Sequence, residues 1–217
     1  TEQAVTLIQR LLMEYPDEVY IGYFAGRTYW AAEEWEQAYQ CWNHVAECLP
    51  EHYGARVGIA KYYMKCGENL KAKELIMELL EINGRDDSLL EMMRDVNVPL
   101  IDYYHNLAAE EPENKEHAVE ACWCMFQNEM FAETIEELDR LQIQPEEKEY
   151  YEYVNMKGRC FLGLEQYPEA IDYLLQWEEN RKNLVDDGSE KYKKRQSREG
   201  FIKSTIGVVY QNLKDFE

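Results

Sequence analysis

The four histidines and six cysteines are the residues best suited to metal or nucleophilic chemistry, and their spacing supports neither. His44, His52, His105 and His117 contain no HxxxH pair with a third ligand close by. Cys41, Cys48, Cys66, Cys122, Cys124 and Cys160 form no CxxC pair, and a helix would turn Cys122 and Cys124 to different faces. DDGSE (186–190) is too short for a helix-loop-helix calcium loop. GxSxG, GxxxxGK[ST] and the dinucleotide glycine pattern are all missing. The carboxylates fall on solvent-facing stripes, and none stands out as a catalytic pair. The expectation is a protein that is not an enzyme, with no metal and no cofactor. What remains is binding chemistry. GRTYWAAEEWEQAYQCW (26–42) holds three tryptophans and two tyrosines among charged residues. Rings supply contact area and nearby cations supply orientation.

Charge narrows the partners. Lys and Arg number 23 and Asp and Glu 43, so the formal charge is 23 − 43 = −20. Such a field repels phosphate backbones and anionic lipid, which argues against nucleic acid and membrane partners; solubility alone also accounts for it. KYKKRQSR (191–198) is the one basic run. It reads as a solvated helix that pairs with its own acids, Glu190 and Lys194 being four apart. No apolar stretch reaches the ~20 residues that a bilayer span needs. Cysteines within helical periodicities suggest reduced thiols and a cytoplasmic setting. With few glycines and prolines and few β-branched runs, the composition favours helix.

The elements that carry these residues repeat. AGRTYWAAEEWEQAYQCWNHVAECLP (25–50) aligns on IAKYYMKCGENLKAKELIMELLEING (59–84) at an offset of 34 residues. Gly26 falls on Ala60, Tyr29 on Tyr63, Ala38 on Ala72, Trp42 on Ile76, Val45 on Leu79 and Pro50 on Gly84. MKGRCFLGLEQYPEAIDYLLQW (156–177) supplies Gly158, Phe161, Tyr167, Ala170, Leu174 and Trp177 at the equivalent places. The small residue lets a second helix approach the first, and the ring three residues on lies on the same face. The alanine is the small contact on the returning helix, and the two bulky residues after it continue a buried stripe. Pro50 or Gly84 ends that helix. Tyr29, Trp35 and Trp42 are therefore expected to be packing residues.

This pattern resembles the tetratricopeptide repeat family. The resemblance implies an all-α fold: a right-handed superhelix of antiparallel helix pairs, whose first helices line a concave groove that takes a peptide or protein segment. The function implied is a non-enzymatic interaction module or scaffold within a larger protein. Alternatives are a segment of a J-domain-type co-chaperone, a peptide-sensing regulatory domain with a closed, ring-lined pocket, and an enzyme with a disguised site. On the first helices, the stripe beside the packing stripe should face the groove. It comprises Tyr20, Tyr23, Arg27 and Trp30, then Val57, Lys61, Met64 and Lys65, then Trp123 and Phe126, then Asn155 and Arg159. Arg27, Lys61 and Arg159 share one position, which suits an extended partner of acidic character; chance placement of surface cations is the competing account. Family members that clamp chaperone C-termini place asparagines where this chain has Arg27 and Gly58, so that activity is not expected.

The expected order is a half repeat over 1–16 (Ala4, Ile8, Leu11, Pro16) and repeats over 17–50 and 51–84. An irregular repeat of two short stripes follows over 85–112, with Pro99 in the first turn of its second helix. Repeats over 113–146 and 147–181 come next. In the former, Cys122, Met125, Phe131, Leu138 and Leu141 take the template places and Thr134 replaces the alanine. A connection over 182–200 precedes a half repeat over 201–217 carrying Gly207, Tyr210 and Phe216. Half repeats expose unpartnered stripes, so the array is expected to continue beyond this chain or to associate end to end.

Overall fold

The computed structural model describes residues 2–16 and 18–215. Their regular elements are all helices: α1 (Glu2–Glu14), α2 (Val19–Ala31), α3 (Trp35–Cys48), α4 (Tyr53–Lys65), α5 (Asn69–Ile82), α6 (Asp87–Glu110), α7 (Lys115–Gln127), α8 (Phe131–Leu141), α9 (Tyr150–Gly163), α10 (Tyr167–Lys182), α11 (Glu190–Gln196) and α12 (Glu199–Asp215). They form two compact units, Thr1–Pro99 and Leu100–Glu217. In the first, α1 packs on α2, α2 on α3, α3 on α4 and α4 on α5, with α2 beside α4. In the second, α7 packs on α8, α8 on α9 and α9 on α10, with α7 beside α9, and α10 receives α11 and α12. The expected all-α stack of helix pairs is what each unit contains.

One turn builds four of the hairpins. Glu33, Gly67, Glu129 and Glu165 end α2, α4, α7 and α9 with φ of 62°, 75°, 61° and 59°. The next residue's N–H reaches back five residues: Glu34 to Tyr29 O at 2.9 Å, Glu68 to Tyr63 O at 2.9 Å, Met130 to Met125 O at 3.0 Å and Gln166 to Phe161 O at 2.9 Å. This is the Schellman closure, which satisfies carbonyls that a helix end leaves free. The carbonyls of Glu34, Glu68, Met130 and Gln166 then accept from the N–H groups of Ala38, Ala72, Thr134 and Ala170, starting the returning helix. Glu33 and Glu165 hold a backbone conformation natural to glycine.

The template residues lie where the hairpin needs them. Ala38, Ala72 and Ala170 are fully buried, as are Val45, Leu79 and Trp177. At Gly26 an added Cβ would fall inside the Trp42 indole, and at Gly158 it would lie 3.0 Å from Leu174 Cδ2. Gly58 also faces the Trp42 indole with no room for a Cβ, so the ring fills space between α2 and α4. Thr134 is buried, and its hydroxyl donates to Met130 O at 2.6 Å, so the extra polar atom costs little.

Three expectations are corrected. Residues 87–110 form a single helix rather than two short stripes, and Pro99 lies inside α6 rather than in the first turn of a second helix. Leu89, Met92, Met93, Val96 and Leu100 are buried at helical spacing, and this stripe runs past Pro99, which is exposed. The connection after the fifth repeat carries the helix expected for the basic run, as α11, but that helix is docked on the unit rather than only solvated. α10 runs to Lys182, and in α11 Arg195 donates to Glu152 at 3.2 Å while Gln196 bonds Arg181. In α12 the packing residues are Ile202 and Val209, seven apart on one face, whereas Gly207 faces open space and Tyr210 is exposed. Phe216 lies outside the described residues.

Two glycine substitutions should act oppositely. Gly26→Ala overpacks the Trp42 site and should cost about 1–3 kcal/mol. Gly207→Ala should stabilise α12 by about 0.5–1 kcal/mol, because it meets nothing and favours helix. Urea denaturation of both variants checks this; equal effects would contradict the packing described.

Candidate peptide-binding surface

The burial of α2 and α4 divides each helix into an inner and an outer stripe. Gly22, Ala25, Gly26 and Tyr29 are buried on α2, and Ala55, Gly58, Ile59 and Ala60 on α4. Tyr20 is 61% exposed, Arg27, Lys61 and Lys65 are exposed, and Tyr23, Trp30, Val57 and Met64 are half-buried.

These residues gather into two ring clusters. In the first, the Tyr23 ring lies against Gly54 of α4, where an added Cβ would sit 2.7 Å from its hydroxyl. Its centroid is 4.7 Å from the His52 ring, and Tyr20 is 6.0 Å from the same imidazole. His52 is oriented by its cap on α4: its Nδ1 accepts from Ala55 N at 3.1 Å. The Arg27 guanidinium stands 6.0 Å from the Tyr23 centroid. In the second cluster Trp30 meets Trp35 edge-on at 4.6 Å and lies 5.6 Å from Trp42, while Lys65 Nζ sits 4.8 Å over Trp35. Trp30 is thus partly a packing ring, and Trp35 presents a face to a cation. The importance of His52 was not legible from spacing; its one local signal is its place just before a helical run.

Lys61 belongs to a different environment. The Tyr53 hydroxyl first, then the N–H groups of Leu89 and Ser88 and last the Lys61 charge, hold the Asp86 carboxyl below the usual carboxylate range. Tyr53 donates to Asp86 Oδ2 at 2.5 Å, and burial together with that carboxylate pushes the phenol up to about 12. Asp86 in turn accepts from Ser88 N at 3.0 Å and Leu89 N at 3.2 Å, so it also fixes the start of α6.

In the second unit, Trp123 and Phe126 of α7 meet edge-on at 5.6 Å, and Phe126 lies 5.9 Å from Phe131. Arg159 of α9 stacks 4.5 Å over Phe126 and 5.4 Å over Phe201 of α12. Asn155, one turn earlier, is drawn inward to 4% exposure. Phe201 was not singled out from sequence, since the apolar stripe of α12 was expected in another register.

The same helix pair, closed by the same turn and packed by the same small-and-bulky positions, recurs in both units. The chain is tetratricopeptide-repeat-like. No protein-family model matches it. It is 27% identical over 112 residues to the Tetratricopeptide repeat-containing protein trd-1 of Caenorhabditis elegans, a match covering 49% of this chain and 14% of that protein. The chain therefore corresponds to a small part of that relative. Among solved structures it is similar to YrrB, described as a TPR protein with an unusual peptide-binding site (14% identity, 81% of this chain and 93% of that one, TM-score 0.41). It is also similar to a tetratricopeptide repeat protein from Parabacteroides merdae (14% identity, 96% and 77%, TM-score 0.42).

Elsewhere on this tetratricopeptide-like chain, a cleft of ≈ 720 Å³ runs along α3, α4 and α5, lined by Arg56, Ile59, Tyr63, Leu75 and Glu78 among others. None of the binding residues expected from sequence lines it. Among the described residues no three His, Cys, Asp or Glu side chains gather in a way that could hold a metal, and no helix is long and apolar enough to cross a membrane.

The Tyr53–Asp86 bond sets a pH dependence. Because the folded carboxyl titrates below its unfolded value, its contribution is complete above about pH 4 and is lost as pH falls through the lower folded value. Tyr53→Phe should cost about 1 kcal/mol at pH 7, and its deficit relative to the parent should shrink by pH 3. Urea midpoints at the two pH values test this; an unchanged deficit would contradict it.

Proposed function

We propose that the chain is a non-enzymatic interaction module that binds a peptide or protein segment of acidic character along its first helices. The observation that carries this reading is the outer face of α2 and α4. There, exposed or half-buried rings and cations stand together: Tyr20 and Tyr23 around His52 with Arg27 by Tyr23, and Trp30 and Lys65 around Trp35. Tyr20 and Phe24 of α2 are largely exposed, at 61% and 54%, so ring area is free there for a partner. Rings of this kind provide contact area at low entropic cost, and stacked cations keep their charge available. Trp123, Phe126, Asn155 and Arg159 are the corresponding set in the second unit. The body charge of −20 leaves such cations as local attractors for acidic partners.

Peptides selected by the protein from a random library supply the test. Arg27→Ala with Lys61→Ala should weaken them by about threefold to tenfold, as expected for exposed charges. Tyr23→Ala should weaken them further. Unchanged anisotropy titrations for all three substitutions would remove this surface from consideration.

A further inference from the structure

Among the cysteines and histidines, one pair stands apart. Cys122, Cys124 and Cys160 are buried, and burial pushes Cys122 and Cys160 up to about 12. Cys41 is half-buried, and burial raises it too. Cys66 is exposed but hydrogen-bonds the Tyr62 hydroxyl. His52 caps α4 beside two tyrosines, His117 faces Glu111 at 3.4 Å, and the Nε2 of His105 is buried. His44 is exposed, and its Nε2 lies 3.8 Å from Sγ of Cys48, which is exposed as well.

The two residues are four apart on α3, in HVAEC (44–48), so their side chains leave one face of the helix a turn apart. A Cys–His pair suits two chemistries: a nucleophile with its base, or two metal ligands. Electrostatics separates them. Cys48 ends α3, where the helix dipole is negative, and Glu47 precedes the thiol. With no lysine or arginine in that turn and a chain charge of −20, the surroundings oppose an activated free thiolate and favour a cation. A bound metal ion supplies the positive charge that holds the sulfur deprotonated. The spacing agrees. A tetrahedral ion with sulfur at about 2.3 Å and nitrogen at about 2.1 Å holds those two atoms about 3.6 Å apart, close to the 3.8 Å observed. The Asn43 amide donates to Glu47 at 2.7 Å, and among the described residues no third His, Cys, Asp or Glu side chain completes the pair, so the rest of the coordination shell is open.

We propose that His44 Nε2 and Cys48 Sγ form a two-ligand site for a thiolate-binding divalent metal of the zinc class, with its remaining positions open to solvent. The thiol proton leaves to solvent as the sulfur–metal bond forms, and no electron is transferred. The site lies on the second helix of a pair and does not depend on the ring-and-cation face of α2 and α4. Sequence spacing missed it because a single His–Cys pair without a third ligand close by carries no motif.

The test titrates zinc into the reduced, metal-free protein in competition with a chromophoric zinc indicator. The parent should take zinc from the indicator. Cys48→Ser and His44→Ala should each weaken binding by more than about tenfold, the least that losing a residue which merely orients a ligand costs. Cys66→Ser, which removes the other exposed thiol, should leave binding unchanged. Cobalt(II) in place of zinc should give a thiolate-to-cobalt charge-transfer band that Cys48→Ser abolishes and Cys66→Ser keeps. All three positions are exposed, and melting temperatures without metal check that each variant folds. With zinc the melting temperature of the parent should rise, and those of Cys48→Ser and His44→Ala should not. Equal zinc affinity in the parent and Cys48→Ser would overturn the proposal. So would no zinc binding by the parent, a cobalt complex without the thiolate band, or a loss that follows Cys66→Ser instead. None of these results bears on the peptide-binding reading.

Discussion

The packing of the first unit depends on the Trp42 indole. It occupies the space that side chains at Gly26 and Gly58 would otherwise fill, so one ring of α3 touches the backbones of both α2 and α4. A glycine within a helix costs about 0.5–1 kcal/mol, and two are needed here. The indole N–H is buried without a hydrogen-bond partner, a further cost of about 1–3 kcal/mol. Burial of a ring of this size offsets these costs, and removing such a side chain from a core typically loses about 3–5 kcal/mol. The other hairpins solve the same volume problem with different residues. Ala60 stands with Ile76, and Gly158 with Leu174, all fully or nearly buried. The sum of the two volumes is held, not either residue, which is what close packing demands.

That conserved sum is why the hairpins were legible in the sequence. A small residue and a bulky one sixteen positions later survive changes of residue type, and the alanine between them marks the returning helix. The turn was less legible. Gly67 announces a left-handed residue, but Glu33, Glu129 and Glu165 do the same work with a residue that gives no such signal. The closure is enforced by tertiary packing of the two helices rather than by the local preference of the turn residue.

Where the template failed, a simpler rule was available. From Leu89 to Leu100 the apolar residues keep helical spacing without a break, and a proline whose ring faces solvent does not interrupt that burial. In α12, matching a glycine and a tyrosine to the repeat displaced the stripe of Ile202, Ile206 and Val209, which periodicity alone indicates. The outer face was only half legible for a related reason. Spacing separates an inner from an outer stripe, but how far a side chain at the border turns inward depends on its neighbours in space. Asn155 and Trp30 are such border residues: the first is sequestered, and the second is shared between Trp35 and Trp42.

Electrostatics links the surface to the packing. With 43 acidic and 23 basic residues, a base on this chain meets an acid by default, and the buried lysine and arginine of the second unit, Lys157 and Arg181, do so at Asp139 and Glu178. Arg27, Lys65 and Arg159 lie instead over Tyr23, Trp35 and Phe126. An ion pair consumes the donors of the cation. A ring over its face does not: it buries the apolar part of the group and leaves the donors directed along the surface. Rings beside cations therefore keep positive charge usable on a body whose composition would otherwise neutralise it. The ring-rich stretch over 26–42 follows from both requirements at once, with Trp42 filling the space between helices and Trp35 lying under Lys65 on the outer face.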